Sequence, residues 1–87
     1  MDEIKNTVLE FFRTKRNMLA QTEVEELACK YLEEKLIDSM GLVEMVLEFE
    51  EKFGVAFESS DMQSPEFRTI GGLIGTIEKL SYKKFSS

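Results

Sequence analysis

The sequence contains no histidine, and this absence removes several classes of function. Without histidine there is no Ser-His or Cys-His nucleophilic pair, and the commonest protein ligand for metal ions is missing. The only cysteine, Cys29, cannot form an internal disulfide or a site that needs several thiolates. A lone thiol in a small chain is more often a buried apolar side chain than a reactive group, so we expect a structural role for Cys29.

Residues that break helices are also scarce. The chain has one proline, Pro65, and the first forty residues contain no glycine. No stretch alternates apolar and polar residues over the length of a strand, whereas apolar residues recur at helical spacing. The sequence therefore predicts an all-α fold with long helices and short connections.

Length and composition predict a single small domain over residues 1–87. The sequence is 43% hydrophobic and 32% charged, which suffices for a modest core and a soluble surface. No apolar run approaches the roughly 20 residues that span a bilayer. The acidic and amphipathic start of the chain does not resemble a signal peptide. We expect a cytoplasmic protein without membrane insertion.

Apolar periodicity and capping signals predict a small bundle of three main helices plus one or two short ones. Gly54 is placed to end the third predicted helix, and Ser64-Pro65 to begin a short turn. For the second predicted helix, residues 23–34, a long and partly helical loop is the alternative. Gly71 and Gly72, in the first turn of the last helix, indicate close packing against a neighbour. The predicted helices are residues 2–16 with Asn17 as the stop, 23–34, 39–53, and a last helix from Thr69 with a frayed tail over 82–87.

The net charge is concentrated in one segment. Residues 38–61 hold seven acidic residues and one lysine, so their net charge of −6 equals that of the whole chain. Such a balance argues against a nucleic-acid partner, which requires a basic face. On the third helix Glu44, Glu48 and Glu51 share one face, although like charges four residues apart destabilise a helix.

An apolar row borders these acidic residues. Met40, Val43 and Leu47 follow helical spacing but are offset from the expected core stripe. One interpretation is a wide core face. The other is an exposed apolar patch, rimmed by acids, that binds a basic and partly apolar partner. Periodicity alone leaves both interpretations open.

Asp38 and Ser39 stand at the predicted start of this helix. Either residue fits a helix N-cap, which is the ordinary role of such side chains in this position. The alternative is a serine hydroxyl that carries a phosphodiester, because a helix N-terminus also favours a phosphate group.

The segment DSMGLVEMVLEFEEKFGVAF, residues 38–57, resembles the acyl carrier protein family and its peptidyl carrier relatives. The resemblance extends over about residues 36–80. Met40 and Met45 replace leucines of the family pattern, which conserves volume. The matching positions are Asp38, Ser39, Val43, Glu44, Glu50, Glu51, Phe53 and Phe57.

This resemblance implies a four-helix bundle that is a carrier and not a catalyst. It implies that a phosphopantetheinyl transferase attaches 4′-phosphopantetheine from coenzyme A to Ser39, beside the motif residue Asp38. The thiol of this arm would carry acyl or aminoacyl groups as thioesters. The expected partners, besides the transferase, are acyl-loading ligases or synthases with basic docking patches. The carrier itself is expected to be a monomer. The implied partner-recognition residues are Met40, Val43, Glu44, Leu47, Glu48 and Glu51.

Three departures from the family pattern point to a specialised pathway. Leu36 stands where the family often has glycine, and Glu58 stands where fatty-acid carriers often have proline. The acidic run after that position is thinned to Ser59-Ser60-Asp61. These departures favour a dedicated fatty acid, polyketide or related biosynthetic carrier over a housekeeping one.

Two other classes of function compete with the carrier. An unmodified, carrier-like docking domain would keep the acidic patch but not need Ser39. An enzyme would need a Ser-Lys pair such as Ser39 with Lys35, or paired carboxylates such as Glu50 and Glu51. Adjacent helical residues point about 100° apart, so that carboxylate pair is poorly placed. No calcium-binding loop pattern is present, and no metal site is predicted.

Overall fold

The computed structural model describes residues 2–15, 18 and 20–86, with side chains described for residues 3–15, 18 and 20–82. Within this part of the chain all regular structure is helical, as predicted. The elements are α1 (Asp2–Arg13), α2 (Glu23–Ala28), α3 (Ser39–Phe53), α4 (Ser59–Gln63), a 3-10 helix (Pro65–Arg68) and α5 (Ile70–Ser86).

The three long helices, α1, α3 and α5, enclose one hydrophobic core. Each contributes the apolar stripe that its periodicity predicted, and aromatic rings fill the centre. Phe11 of α1 meets Phe49 of α3 edge to face, with ring centroids 5.3 Å apart. The buried residues of the three helices are Val8, Leu9 and Phe12; Met45, Val46 and Phe49; and Ile70, Leu73, Ile74 and Ile77.

The predicted limits of α3 are confirmed, and local signals explain both ends. The Asp38 carboxylate accepts the N–H of Gly41 at 2.7 Å, which caps the first turn. Gly54 adopts φ 63°, ψ 37°, the left-handed conformation that a side chain disfavours. The 3-10 helix likewise begins at Pro65 after Ser64, as predicted, and the Thr69 hydroxyl accepts the N–H of Gly72 in the first turn of α5.

The first two helices are shorter than predicted. Helix α1 ends at Arg13, and the predicted limits at Arg16 and Asn17 lie outside the described residues. Helix α2 ends at Ala28 because Cys29 turns extended and its carbonyl accepts the N–H of Ile70 at 3.0 Å. The chain then forms turns, so the predicted helix over 23–34 is wrong beyond Ala28.

The spacing of Val24, Leu27, Ala28, Tyr31 and Leu32 predicts one core face for the second helix, and the structure corrects this prediction. Val24 is 76% exposed and Leu32 is 40% exposed, whereas Tyr31 is fully buried beside Phe12. At the other end of the chain, the backbone of α5 is helical to Ser86 where a frayed tail was expected, and Ser87 lies outside the described residues.

A bidentate ion pair joins α1 to α2. The Arg13 guanidinium donates to both carboxylate oxygens of Glu26, at 2.7 and 2.8 Å. Glu26 is buried, and the hydrogen bond from Arg13 holds its carboxyl pKa below the ordinary value of 4.5, against the opposing effect of burial. A carboxyl group with a lowered pKa stabilises the fold while it is ionised.

Replacing Glu26 is therefore expected to change how the free energy of unfolding depends on pH. The ion pair contributes fully above the unfolded pKa near 4.5, and its contribution is lost as the pH falls through the lower folded pKa. Glu26→Gln should unfold more easily than the wild type in urea at pH 7, and this difference should narrow below pH 4.5. The exposed Glu10→Gln is the control, expected within about 0.5 kcal/mol of the wild type. A Glu26→Gln difference that stays constant from pH 7 to pH 3 would contradict this role.

Candidate functional site

Ser39 is the first residue of α3, and its hydroxyl does not take part in capping this helix. Asp38 provides the N-cap with its carboxylate, and its carbonyl accepts the N–H of Leu42 at 2.8 Å. Ser39 is exposed, and its hydroxyl has no hydrogen-bond partner among the residues that the structure describes. Of the two N-cap candidates, the cap is thus Asp38, and the Ser39 hydroxyl is open to an approaching reactant.

The residues that flank Ser39 hold its position firmly. Leu36 and Ile37 are buried in the core, and the N–H of Leu36 donates to the carbonyl of Tyr31 at 2.9 Å. At Gly41 a Cβ would lie 3.2 Å from the Asp38 carboxylate, which is tighter than ordinary contact, and 3.4 Å from Cβ of Ile37. The small residue thus leaves room for the cap, and the cap fixes the first turn that carries Ser39.

A groove of about 630 Å³ opens beside Ser39. We name it the Ser39 groove. Its walls come from three separate segments, namely the turn after α1, the loop after α2 and the start of α3. The lining residues are Lys15; Leu32, Lys35, Leu36 and Ile37; and Asp38, Ser39 and Gly41.

The apolar row on α3 is exposed and does not widen the core. Met40 is 77% exposed, and Val43 and Leu47 are each 59% exposed. These residues lie roughly opposite the buried stripe of Met45 and Phe49 around the helix axis. The interpretation as a wide core face is therefore wrong, and an apolar patch lies on the surface of α3.

The acidic row borders that patch. Glu44, Glu48 and Glu51 are exposed, and at about 100° per residue they occupy the helical sector next to Met40 and Leu47. We call the six residues together the α3 face. A surface of this kind fits a partner that presents basic groups around an apolar contact.

Glu50 has a different role from its neighbour Glu51. Its carboxylate accepts the N–H of Phe57 at 2.8 Å, so it ties the loop after α3 to the helix. Glu58 is the N-cap residue just before α4, and its N–H donates to the Asp61 carboxylate at 3.0 Å. A proline at position 58 would have no N–H for this bond, which explains how this departure from the family pattern is accommodated.

Neither a metal site nor a membrane helix is evident in the described part of the chain. No three Asp, Glu or Cys residues come together there in an arrangement that could hold a metal ion. None of the helices within the described ranges combines the length and the apolar character needed to cross a membrane.

Cys29 does not line the Ser39 groove. Its side chain is buried, and Sγ donates to the Glu34 carboxylate at 3.0 Å. Burial, together with this hydrogen bond to Glu34, raises the pKa of the thiol from 9.0 to about 12. These contacts confirm a structural thiol, since the thiolate is the reactive form.

Cys29 is accordingly expected to react slowly in the folded protein. A pKa shift from 9.0 to about 12 lowers the thiolate fraction at pH 8 by about a thousandfold. The higher nucleophilicity of a thiolate with a raised pKa offsets part of this loss, so the rate of reaction with a disulfide reagent, followed by thiolate release, should be lower by more than about tenfold than in protein unfolded by urea. Equal rates in folded and unfolded protein would show that the thiol is accessible.

Sequence patterns did not reveal the groove. From the sequence, Lys15 suits the negative C-terminal end of the first predicted helix, and Leu32 belongs to the predicted face of the second helix, which ends before it. Lys35 was considered only as a general base, although it is one of the cations that line the groove. Its positive φ of 60°, which places it at a turn, has no signal in the residue type.

Comparison with known proteins identifies the same segment. Residues 37–77 match the family described as "Phosphopantetheine attachment site". A curated relative, the acyl carrier protein of Thermotoga maritima, is 38% identical over 52 aligned residues, covering 54% of this chain. The chain matches 62% of that relative's length, which is less than two thirds. No solved structure matches the chain at comparable significance.

Proposed function

We propose that this chain is a carrier of the acyl carrier protein type, with a covalent 4′-phosphopantetheine arm attached to Ser39 that carries acyl or aminoacyl groups as thioesters. The proposal is supported by the match of residues 37–77 to the phosphopantetheine attachment site family and by the similarity to an acyl carrier protein. The chain then acts as a carrier for other enzymes and catalyses no reaction itself. The terminal thiol of the arm supplies the thioester chemistry.

The observation that carries this proposal is the uncommitted hydroxyl of Ser39. The Asp38 carboxylate caps the helix, so a substituent on the Ser39 hydroxyl disturbs no hydrogen bond among the described residues. The hydroxyl stands at the N-terminus of a helix of 15 residues, where free N–H groups and the helix dipole favour an anion. A phosphodiester at this oxygen is thus electrostatically compatible with its surroundings.

The proposed attachment is a single displacement at phosphorus. Oγ of Ser39 forms a bond to the phosphorus that bears the pantetheine, and the diphosphate bond of coenzyme A breaks. Adenosine 3′,5′-bisphosphate leaves, and the hydroxyl proton passes to a base of the transferase.

The residues around Ser39 fit such a group. Lys15 and Lys35 bring two positive charges to the groove that Ser39 also lines, and Asp38 is the one acid among its described lining residues. Leu32, Leu36 and Ile37 provide an apolar wall for the carbon atoms of the arm.

We further propose that the α3 face recognises the partner enzymes, namely the transferase and acyl-loading ligases or synthases with basic docking patches. The proposal rests on the exposure of Met40, Val43 and Leu47 beside an acidic row. The departures at Leu36, Glu58 and the residues after it support a specialised fatty acid or polyketide pathway. The proposed compartment is the cytoplasm, since a free thiol and a thiol-bearing arm both suit a reducing environment.

Intact mass spectrometry tests the attachment on the unaltered protein. After incubation with coenzyme A and a broad-specificity phosphopantetheinyl transferase, the mass should rise by one phosphopantetheinyl group. Trypsin cleavage after Lys35 and Lys52 yields a peptide whose only hydroxyl-bearing side chain is Ser39, and this peptide should carry the whole increase. An unchanged mass of folded protein would favour the unmodified docking domain instead, and an increase on another peptide would refute Ser39.

A further inference from the structure

The Ser39 groove and the α3 face share no lining residue and differ in charge. Among the described residues, the groove is lined by two lysines and one acid, whereas the α3 face carries three glutamates and no cation. The Asp38 carboxylate is already engaged by the N–H of Gly41 at 2.7 Å. An anion attached to Ser39 is therefore drawn towards the groove and repelled by the acidic row.

The fold restrains Lys15, the first cation of the groove. Its N–H donates to the carbonyl of Phe12 at 3.0 Å, and its carbonyl accepts the N–H of Met18 at 3.2 Å. Its ammonium group lies 4.5 Å from the centroid of the Phe11 ring. This cation–π contact, together with partial burial, limits the freedom of a side chain that is usually mobile.

The fold also fixes the backbone of Lys35, the second cation. It stands at φ 60°, and its N–H donates to the carbonyl of Leu32 at 3.2 Å. The same turn is anchored by Leu36, whose N–H donates to the carbonyl of the fully buried Tyr31. The loop therefore presents Lys35 at a defined point of the groove wall.

The size and lining of the groove suit the arm itself. A volume of about 630 Å³ falls within the range of small-molecule sites, which is about 300–1,000 Å³. The arm begins with a phosphodiester anion, which the lysines can bind, and continues with a geminal dimethyl group. Leu32, Leu36 and Ile37 offer this group an apolar surface.

We propose that, once attached to Ser39, the arm rests in the Ser39 groove, with its phosphodiester held by Lys15 and Lys35 and its dimethyl group against Leu32 and Leu36. This proposal rests on the attachment proposed above. The resting position leaves the α3 face free, so a partner can dock there before the arm moves into that partner's active site.

The test uses uniformly ¹³C,¹⁵N-labelled protein that carries an unlabelled arm, with mass spectrometry first establishing complete loading. Isotope-filtered NOE spectra should show contacts from the geminal methyl protons of the arm to Leu32 and Leu36. In the doubly substituted Lys15→Gln, Lys35→Gln protein, loaded to the same extent, these NOEs should weaken at least threefold, and the ³¹P resonance should shift. Lys30→Gln is the matched control, because Lys30 is an exposed lysine near Glu33 that does not line the groove. It should leave the spectra unchanged.

Three outcomes would overturn the resting position. They are a fully loaded protein without NOEs to the groove, NOEs to Met40 and Val43 instead, and a double variant with unchanged NOEs and ³¹P shift. A failure of the attachment itself is distinguishable, because the mass would then show no arm before any spectrum is recorded. Amide spectra of the double variant monitor its fold, and the wild-type NOEs decide the proposal even if that variant unfolds.

Discussion

Ser39→Ala is expected to abolish loading with phosphopantetheine completely while leaving the fold intact. The substitution removes the single oxygen that can form the new bond to phosphorus. It removes no hydrogen bond within the described part of the chain, and the Asp38 cap remains. The free energy of unfolding should stay within about 0.5 kcal/mol of the wild type, as is usual for exposed positions. Intact mass after incubation with coenzyme A and transferase measures the first effect, and urea denaturation followed by circular dichroism measures the second.

Ser59→Ala provides a closely matched control. Ser59 is also exposed, also begins a helix and also follows an acidic residue, Glu58. If the transferase required only a serine with these local features, it would load both Ser39 and Ser59. Each variant would then lose only part of the total loading. We expect normal loading of Ser59→Ala. Loading of Ser39→Ala at any rate near that of the wild type would eliminate Ser39 as the attachment residue.

Gly72→Ala is expected to destabilise the fold more strongly than the loss of any exposed side chain. A Cβ at this position would lie 1.8 Å from the carbonyl oxygen of Glu66 and 2.6 Å from its carbon, so the backbone of the 3-10 helix must move. Overpacking against atoms that cannot rotate away is expected to cost about 3 kcal/mol. For a domain of this size, such a loss lowers Tm by more than about 10 °C, measured by circular dichroism.

Gly75→Ala should act in the opposite direction, although it lies in the same helix. An added Cβ has nothing within 4 Å among the described residues, and Gly75 is exposed. Alanine is favoured over glycine inside a helix by about 1 kcal/mol, which corresponds to a rise in Tm of about 4–8 °C. If Gly72→Ala also stabilised the protein, the close approach of Glu66 to α5 would be refuted.

The parts of the fold that sequence predicted well are those specified by nearby residues. Helix α3 has a side-chain cap at Asp38, a strict apolar stripe, and a glycine at Gly54 that readily adopts a positive φ. The 3-10 helix has Ser64 and Pro65 at its start. Each signal acts within one or two turns, so it can be recognised without knowledge of the tertiary structure.

The segment between α2 and α3 could not be predicted in the same way. Its helical periodicity is real, but the hydrogen bond between Cys29 and Ile70 joins residues far apart in sequence and ends the helix early. Burial of Tyr31 then determines the turns that follow. The Ser39 groove is formed by those turns and by the turn after α1, so no local pattern specifies it.

The sequence permits two interpretations of Met40, Val43 and Leu47, a wide core face or an exposed patch. The exposure of these side chains in the structure decides for the patch. Apolar residues cover much of this helix, and periodicity does not say which of two neighbouring stripes faces the core. Phe49 is fully buried, while Met40 is 77% exposed. Assignment of Ser39 as the attachment residue rests on the motif and the family match, and the Ser39→Ala and Ser59→Ala variants test it.

The concentration of net charge on residues 38–61, which comprise α3 with its cap, the loop after it and the start of α4, makes the molecule an electric dipole. The remainder of the chain is neutral overall, so the negative end coincides with the surface proposed to dock. In the field of a positively charged enzyme, such a dipolar protein rotates before contact so that α3 faces the enzyme. The orientation extends only over about one Debye length, about 8 Å at physiological ionic strength. Encounters would therefore become less productive as salt is added, even where the final complex is held mainly by apolar contacts.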